Sequence, residues 1–212
     1  MGLFLTKHMP EASLGVWEIT EALDVLYDMA RLSGKERSHY ASLHSPLRKK
    51  HWLSYRLILP SLLPGETPTG ISYDPFGKPR LDNGRSNLSV AHSGVYAALM
   101  VSPTRAVGID IEAIQPKIHR LAHKFLREEE LDYHFTSHAT ESLMLIWCAK
   151  EALYKLHGRR EISFKEHILV KPFAFTATGR INASIEHREI NKHYALYYDM
   201  IGEYLLVYVI DN

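Results

Sequence analysis

At 212 residues the chain is long enough to bury a sizeable core, and its 25 Lys and Arg against 24 Asp and Glu nearly cancel. That balance gives no global support for nucleic acid or an anionic membrane as the main partner. A single cysteine, Cys148, excludes a disulfide framework and a multi-cysteine zinc site and fits a reducing compartment.

A hydrophobic content of 46% argues against disorder. No apolar run approaches the length of a membrane span, and the first residues lack the pattern of a signal peptide. The expectation is a cytoplasmic protein.

Residues 20–32 place Leu23, Leu26, Tyr27 and Ala30 on one helical face. Ser33 and Glu36 have capping-box spacing and predict a short second helix. Ser45 as N-cap with Pro46 in the first turn predicts a helix to Pro60 or a little beyond. Residues 64–86, rich in Pro, Gly and Asp, read as loop with short strands at 71–73 and 79–81. Three strands follow, "NLSVAHS", "VYAALMVS" and "AVGIDIEAI". "KIHRLAHKFL" and "REEELDYHF" read as helices, and "ATESLMLIWCAKEALYKLHG" as a long helix closed by Gly158. From Ile168 onward the chain is strand-rich, with hairpin turns predicted at Gly179-Arg180 and Gly202-Glu203.

Blocks of helices and strands, without βαβ alternation, predict an α+β fold with antiparallel sheets. The order of the blocks hints at two similar halves that meet near residue 105.

The chemistry-bearing residues are the carboxylates of "VGIDIE". On a strand, Val107, Ile109 and Ile111 share one face, and Gly108, Asp110 and Glu112 the other. The apolar face anchors the strand. The other places two carboxylates about 7 Å apart along it. Two like charges so close are favoured by a cation, and oxygen donors suit Mg²⁺ or Mn²⁺. The same spacing also suits an ordinary solvated acidic edge.

On the long helix, Trp147, Glu151 and Lys155 form one stripe, flanked by Lys150 and Tyr154. Glu151 and Lys155 are either a surface pair or a half-buried site in need of a partner. Basic residues recur at Arg48 to Arg56, at Lys78 and Arg80, and beside His92 and Ser93. Basic loci together with an acidic metal candidate point to a polyphosphate ligand. The pairs His119/His123 and His134/His138 read as surface histidines.

"GIDIE" (108–112), followed by "WCAKEALYK" (147–155), resembles the two-part signature of the 4′-phosphopantetheinyl transferases. "FGKPRL" (76–81), "KFLREEEL" (124–131) and "RKKHWLSYR" (48–56) are similar to the same family. The resemblance covers about residues 45 to 160, and the length is similar to the single-chain, surfactin-synthetase-activating type.

The resemblance implies an enzyme that moves the phosphopantetheine arm of coenzyme A to a serine of an apo acyl or peptidyl carrier protein, releasing adenosine 3′,5′-bisphosphate. It implies Asp110, Glu112 and Glu151 as ligands of Mg²⁺, with Asp110, Glu151 and Lys155 catalytic. Lys150 and Lys155 would contact the phosphates, and Lys78, His92 and Arg48 the nucleotide and its 3′-phosphate. It further implies a monomeric pseudo-dimer of two α+β halves: 1–105 with the nucleotide contacts, and 106–212 with the metal site and carrier docking. Lys117, Arg120, Lys124 and Phe125 are expected near the docked carrier. Ala91 stands where the family often has serine, so a hydroxyl contact is either missing or supplied by Ser89 or Ser93. A Mg²⁺-dependent phosphohydrolase acting on coenzyme A or a related nucleotide, and a non-catalytic coenzyme A or carrier-binding module, remain the alternative readings.

Overall fold

The chain opens with a hairpin that its residue pattern does not announce, β1 (Gly2–His8) and β2 (Ser13–Glu18). The computed structural model describes residues 2–63, 70–75, 77–133, 138–158, 161–188 and 190–211. They form two compact units, Met1–Arg105 and Ala106–Asn212.

In the first unit, β2 is followed by α1 (Leu23–Ala30), α2 (Gly34–Ser42) and α3 (Pro46–Leu62). Then come the small hairpin β3 (Ile71–Tyr73) and β4 (Pro79–Leu81), β5 (Asn87–Ser93) and β6 (Tyr96–Ser102). The main sheet is antiparallel in the order β1-β2-β6-β5. The expected caps are present. Ser33 and Glu36 close a capping box on α2, and the Ser45 hydroxyl accepts from the Arg48 amide at 3.3 Å.

The buried face of α3, with Trp52, Leu53, Ile58, Leu59 and Leu62, packs with Trp17, Leu88, Ala97, Leu99 and Val101 of the sheet. Gly15 permits this contact, because a Cβ there would lie 2.6 Å from Ile58 Cγ2. Arg56 is 8% exposed and ties three elements together. It donates to Glu36 Oε1 at 2.8 Å, to the Trp52 carbonyl at 3.0 Å and to the Ile71 carbonyl at 2.9 Å. Its guanidinium also lies 3.2 Å from the centre of the Trp52 ring.

The second unit starts with β7 (Val107–Ala113), then α4 (Ile118–Phe125), α5 (Glu128–Leu131), α6 (Ala139–His157) and α7 (Phe164–His167). β8 (Ile168–Val170), β9 (Thr178–His187), β10 (Ile190–Ile201) and β11 (Tyr204–Ile210) complete an antiparallel sheet in the order β7-β11-β10-β9-β8. Gly158 closes α6 in the left-handed conformation. Gly202, at φ 57°, turns β10 into β11 as expected.

The turn expected at Gly179-Arg180 does not form. Both residues lie inside β9, and the chain reverses after His187 instead. Gly179 serves packing there, since a Cβ would stand 2.9 Å from the Tyr198 hydroxyl.

The fold is thus α+β with antiparallel sheets. Both units use one scheme. An early strand pairs with the last strand of its unit, β2 with β6 and β7 with β11. A long helix, α3 or α6, then packs over that pair. Among the described residues no helix is long and apolar enough to cross a membrane.

Candidate active site

Among the described residues β7 is an edge strand, paired with β11. The face carrying Gly108, Asp110 and Glu112 is turned toward α6, where the strand alone suggested a solvated edge. Gly108 is the cause. A Cβ there would fall inside the van der Waals envelope of the Ala152 carbonyl oxygen, so only glycine lets α6 settle on the strand. Cys148, Ala152 and Lys155, at i, i+4 and i+7, form the apposed face of the helix.

Two residues beyond Gly108, Asp110 is carried under the helix and is 3% exposed. Its Oδ1 accepts from Lys155 Nζ at 2.7 Å. Its Oδ2 is buried with no hydrogen-bond partner among the described residues. Burial and the charges of Asp110 and Glu112, with a hydrogen bond to Asp110, push the Cys148 thiol well up, so it stays protonated.

Glu151 lies one turn before Lys155 and is half-buried. Desolvation, then the like charge of Asp110, raises its pKa to about 7, with Glu112 adding and Lys155 opposing. Desolvation works against the Lys155 ammonium, but Asp110 and Glu151 outweigh it and hold its pKa above the ordinary value. Lys155 therefore sits against Asp110 and Glu151, and Glu112 adds a further negative charge felt by Glu151.

Among the described residues no three His, Cys, Asp or Glu side chains converge as a formed coordination shell. The donor chemistry nevertheless fits a hard divalent cation: an orphaned buried carboxylate oxygen and a carboxyl driven toward protonation by burial and then by the charge of Asp110. Asp110, Glu112 and Glu151 would hold such an ion.

Lys150 needs correction as a phosphate contact. Successive helical residues are about 100° apart, which turns it away from the Glu151 side of α6. It is fully buried and donates toward Glu130 Oε2 at 2.6 Å and the carbonyls of Phe125 (2.7 Å), Ile168 (2.9 Å) and Phe164 (3.1 Å). Glu130, which lies in "KFLREEEL" and is not singled out by the sequence, is its buried counter-ion. Glu130 also accepts from the amides of Arg127 and Val170. The available signal was a lysine set among Ile146, Ala149 and Leu153, where an unpaired ammonium could not be buried. Trp147 and Tyr154 share this side of the helix, in edge contacts with Phe164.

The remaining basic candidates lie in the first unit. Arg48 is exposed at the start of α3. Lys78 stands between β3 and β4, and its amide donates to Asp74 Oδ1 at 2.9 Å. Burial, then the charge of Arg80, lowers its ammonium pKa, with Asp74 opposing. His92 is exposed at the end of β5 and stacks on His51, a residue that sequence reasoning did not single out. Strand alternation sets Ser89, Ala91 and Ser93 on the face opposite His92. Ser89 and Ala91 are both buried, so Ser89 offers no hydroxyl on the His92 side.

Lys117, Arg120 and Lys124 are exposed on and before α4. Phe125 is 1% exposed and belongs to the core, which corrects its expected place on a docking surface. His119 and His123 are exposed, with His119 hydrogen-bonded to Thr140. His134 lies outside the described residues.

Residues 106–209 match the family model of the 4′-phosphopantetheinyl transferase superfamily. A Synechocystis sp. protein provisionally named a 4′-phosphopantetheinyl transferase is 32% identical over 143 residues, covering 61% of this chain and 58% of that relative.

Proposed function

We propose that this chain, whose residues 106–209 match the 4′-phosphopantetheinyl transferase superfamily model, is a member of that family and transfers the phosphopantetheine arm of coenzyme A to a serine of an apo carrier protein. The observation that carries the reading is the Asp110, Glu151 and Lys155 cluster. It joins a core-anchored strand to a long helix inside the matched segment.

In this reading the serine Oγ attacks the phosphorus that bears the pantetheine arm. The new O–P bond forms as the bond to the bridging oxygen breaks, and adenosine 3′,5′-bisphosphate leaves. Charge neutralisation is the main demand of such a step. Asp110, Glu112 and Glu151 would hold Mg²⁺ or Mn²⁺, which would offset the pyrophosphate charge. Glu151, or a carboxylate of this cluster acting through a bound water, would receive the serine proton. Lys155 fixes Asp110 and presents positive charge toward the departing bisphosphate. Arg48, Lys78 and His92 are assigned to the nucleotide, and the exposed Lys117, Arg120 and Lys124 to an acidic carrier.

The test is to incubate the protein with coenzyme A, Mg²⁺ and a panel of apo carrier proteins and to measure carrier mass. A gain of one phosphopantetheine arm is expected. No gain on any carrier, or hydrolysis of coenzyme A without an acceptor, sinks the proposal.

A further inference from the structure

The turn between β5 and β6 is anchored from two sides. Gly94 takes its first position at φ 53°, a conformation that suits glycine in a two-residue hairpin. The Ile19 amide donates to the Val95 carbonyl at 2.8 Å. From α3, His51 Nε2 lies 2.8 Å from the Gly94 carbonyl oxygen. A carbonyl only accepts, so His51 carries its proton on Nε2 and donates it.

The same His51 ring lies flat against His92, with centroids 4.4 Å apart and planes 2° from parallel. Tyr55, one helical turn on, also stacks with His92, at 6.3 Å and 24°. His51 is 4% exposed and His92 is exposed. The helix thus presents a two-ring platform, and the histidine of the strand end lies on it with open surface toward solvent. Burial lowers the pKa of His51, as does nearby Arg48, while the Gly94 carbonyl opposes.

We propose that His51 is a positioning residue: by stacking on His92 and holding the Gly94 carbonyl, it presets the His92 imidazole to receive a phosphate of the nucleotide. The inference rests on the assignment of His92 to the nucleotide in the function proposed above. His51 touches no substrate. It removes rotamers that a free imidazole would have to surrender on binding, and so its effect is on affinity, with chemistry at the carboxylate cluster untouched.

The experiment is calorimetric titration with adenosine 3′,5′-bisphosphate of the wild type, His51→Ala, His51→Phe, His92→Ala and the His51→Ala/His92→Ala double variant. His51→Ala is expected to weaken binding about threefold to tenfold, the cost of ordering one side chain. His51→Phe keeps a stacking ring, loses only the carbonyl contact, and should weaken binding less. The double variant should bind no more weakly than His92→Ala. In the carrier assay, KM for coenzyme A should rise in His51→Phe with kcat held.

Equal losses from His51→Ala with and without His92 overturn the inference, since His51 would then act through the fold at large. So does unchanged binding in both His51 variants. Wild-type protein that neither binds the bisphosphate nor modifies a carrier instead overturns the functional reading. Undiminished binding in His92→Ala removes the nucleotide assignment of that residue, and this inference with it.

Discussion

Lys155 Nζ sits 2.7 Å from Asp110 Oδ1, while Oδ2 of the same carboxylate is buried without a hydrogen-bond partner among the described residues. A half-satisfied buried carboxylate is costly. Asp110→Ala should therefore leave the fold largely intact while lowering phosphopantetheine transfer at least about a hundredfold, the scale for loss of a main electrostatic group. Carrier mass and thermal unfolding, measured on the same preparation, separate the two effects. Full activity in Asp110→Ala excludes the residue from the chemistry.

Glu151 sets a pH dependence of stability in the cation-free protein. Its pKa rises from 4.5 to about 7 on folding. The folded state holds the proton more tightly, so stability declines as pH climbs through that window and levels off above it. The shift corresponds to about 3 kcal/mol at most. Glu151→Gln should remove this decline, and Mg²⁺ should offset it in the wild type. Urea unfolding at pH 5 and pH 8, with and without Mg²⁺, measures both. An equal slope in wild type and Glu151→Gln would falsify the assignment.

Lys150→Met should fail by unfolding. The substitution strands Glu130 in the core, and breaking one member of a buried pair costs about 3–5 kcal/mol. Chemical denaturation is the direct measure. A normal unfolding midpoint combined with a raised KM for coenzyme A would return Lys150 to the phosphates.

Gly108→Ala forces a methyl group into the Ala152 carbonyl of α6. Backbone cannot yield as a side-chain tip can, so a loss of about 3 kcal/mol or more is expected. Gly15→Ala meets the Cγ2 methyl of Ile58 at 2.6 Å, a side-chain atom at a longer distance, and should cost less. Comparing the thermal midpoints of the two variants tests the ranking.

Much of this was legible in local chemistry. Ser33, Ser45, Gly158 and Gly202 each satisfy a backbone requirement that one residue can signal, and the elements they bound were found. The carboxylates of β7 and Glu151 of α6 were placed on the right strand and helix for the same reason. What failed depended on tertiary partners. Gly179 looks like a turn but makes room for the hydroxyl of Tyr198, which lies across the sheet. Lys150 looks like a phosphate ligand because its counter-ion, Glu130, is twenty residues away. The β1–β2 hairpin went unread because β1 is an exposed edge strand that leaves Leu3 and Phe4 in solvent. His51 reads as one more basic residue until His92 is seen lying on it.

Gly15 and Gly108 each let a long helix settle on a strand, and two residues past them stand Trp17 and Asp110. The first unit is in effect an internal control for the second. It shows that the crossing closes with a buried indole in that place and needs no carboxylate there. The acidic cluster is therefore a burden laid on a frame that would be sounder without it. Stability alone gives no reason for it, so the cluster has to be explained by what the charges do.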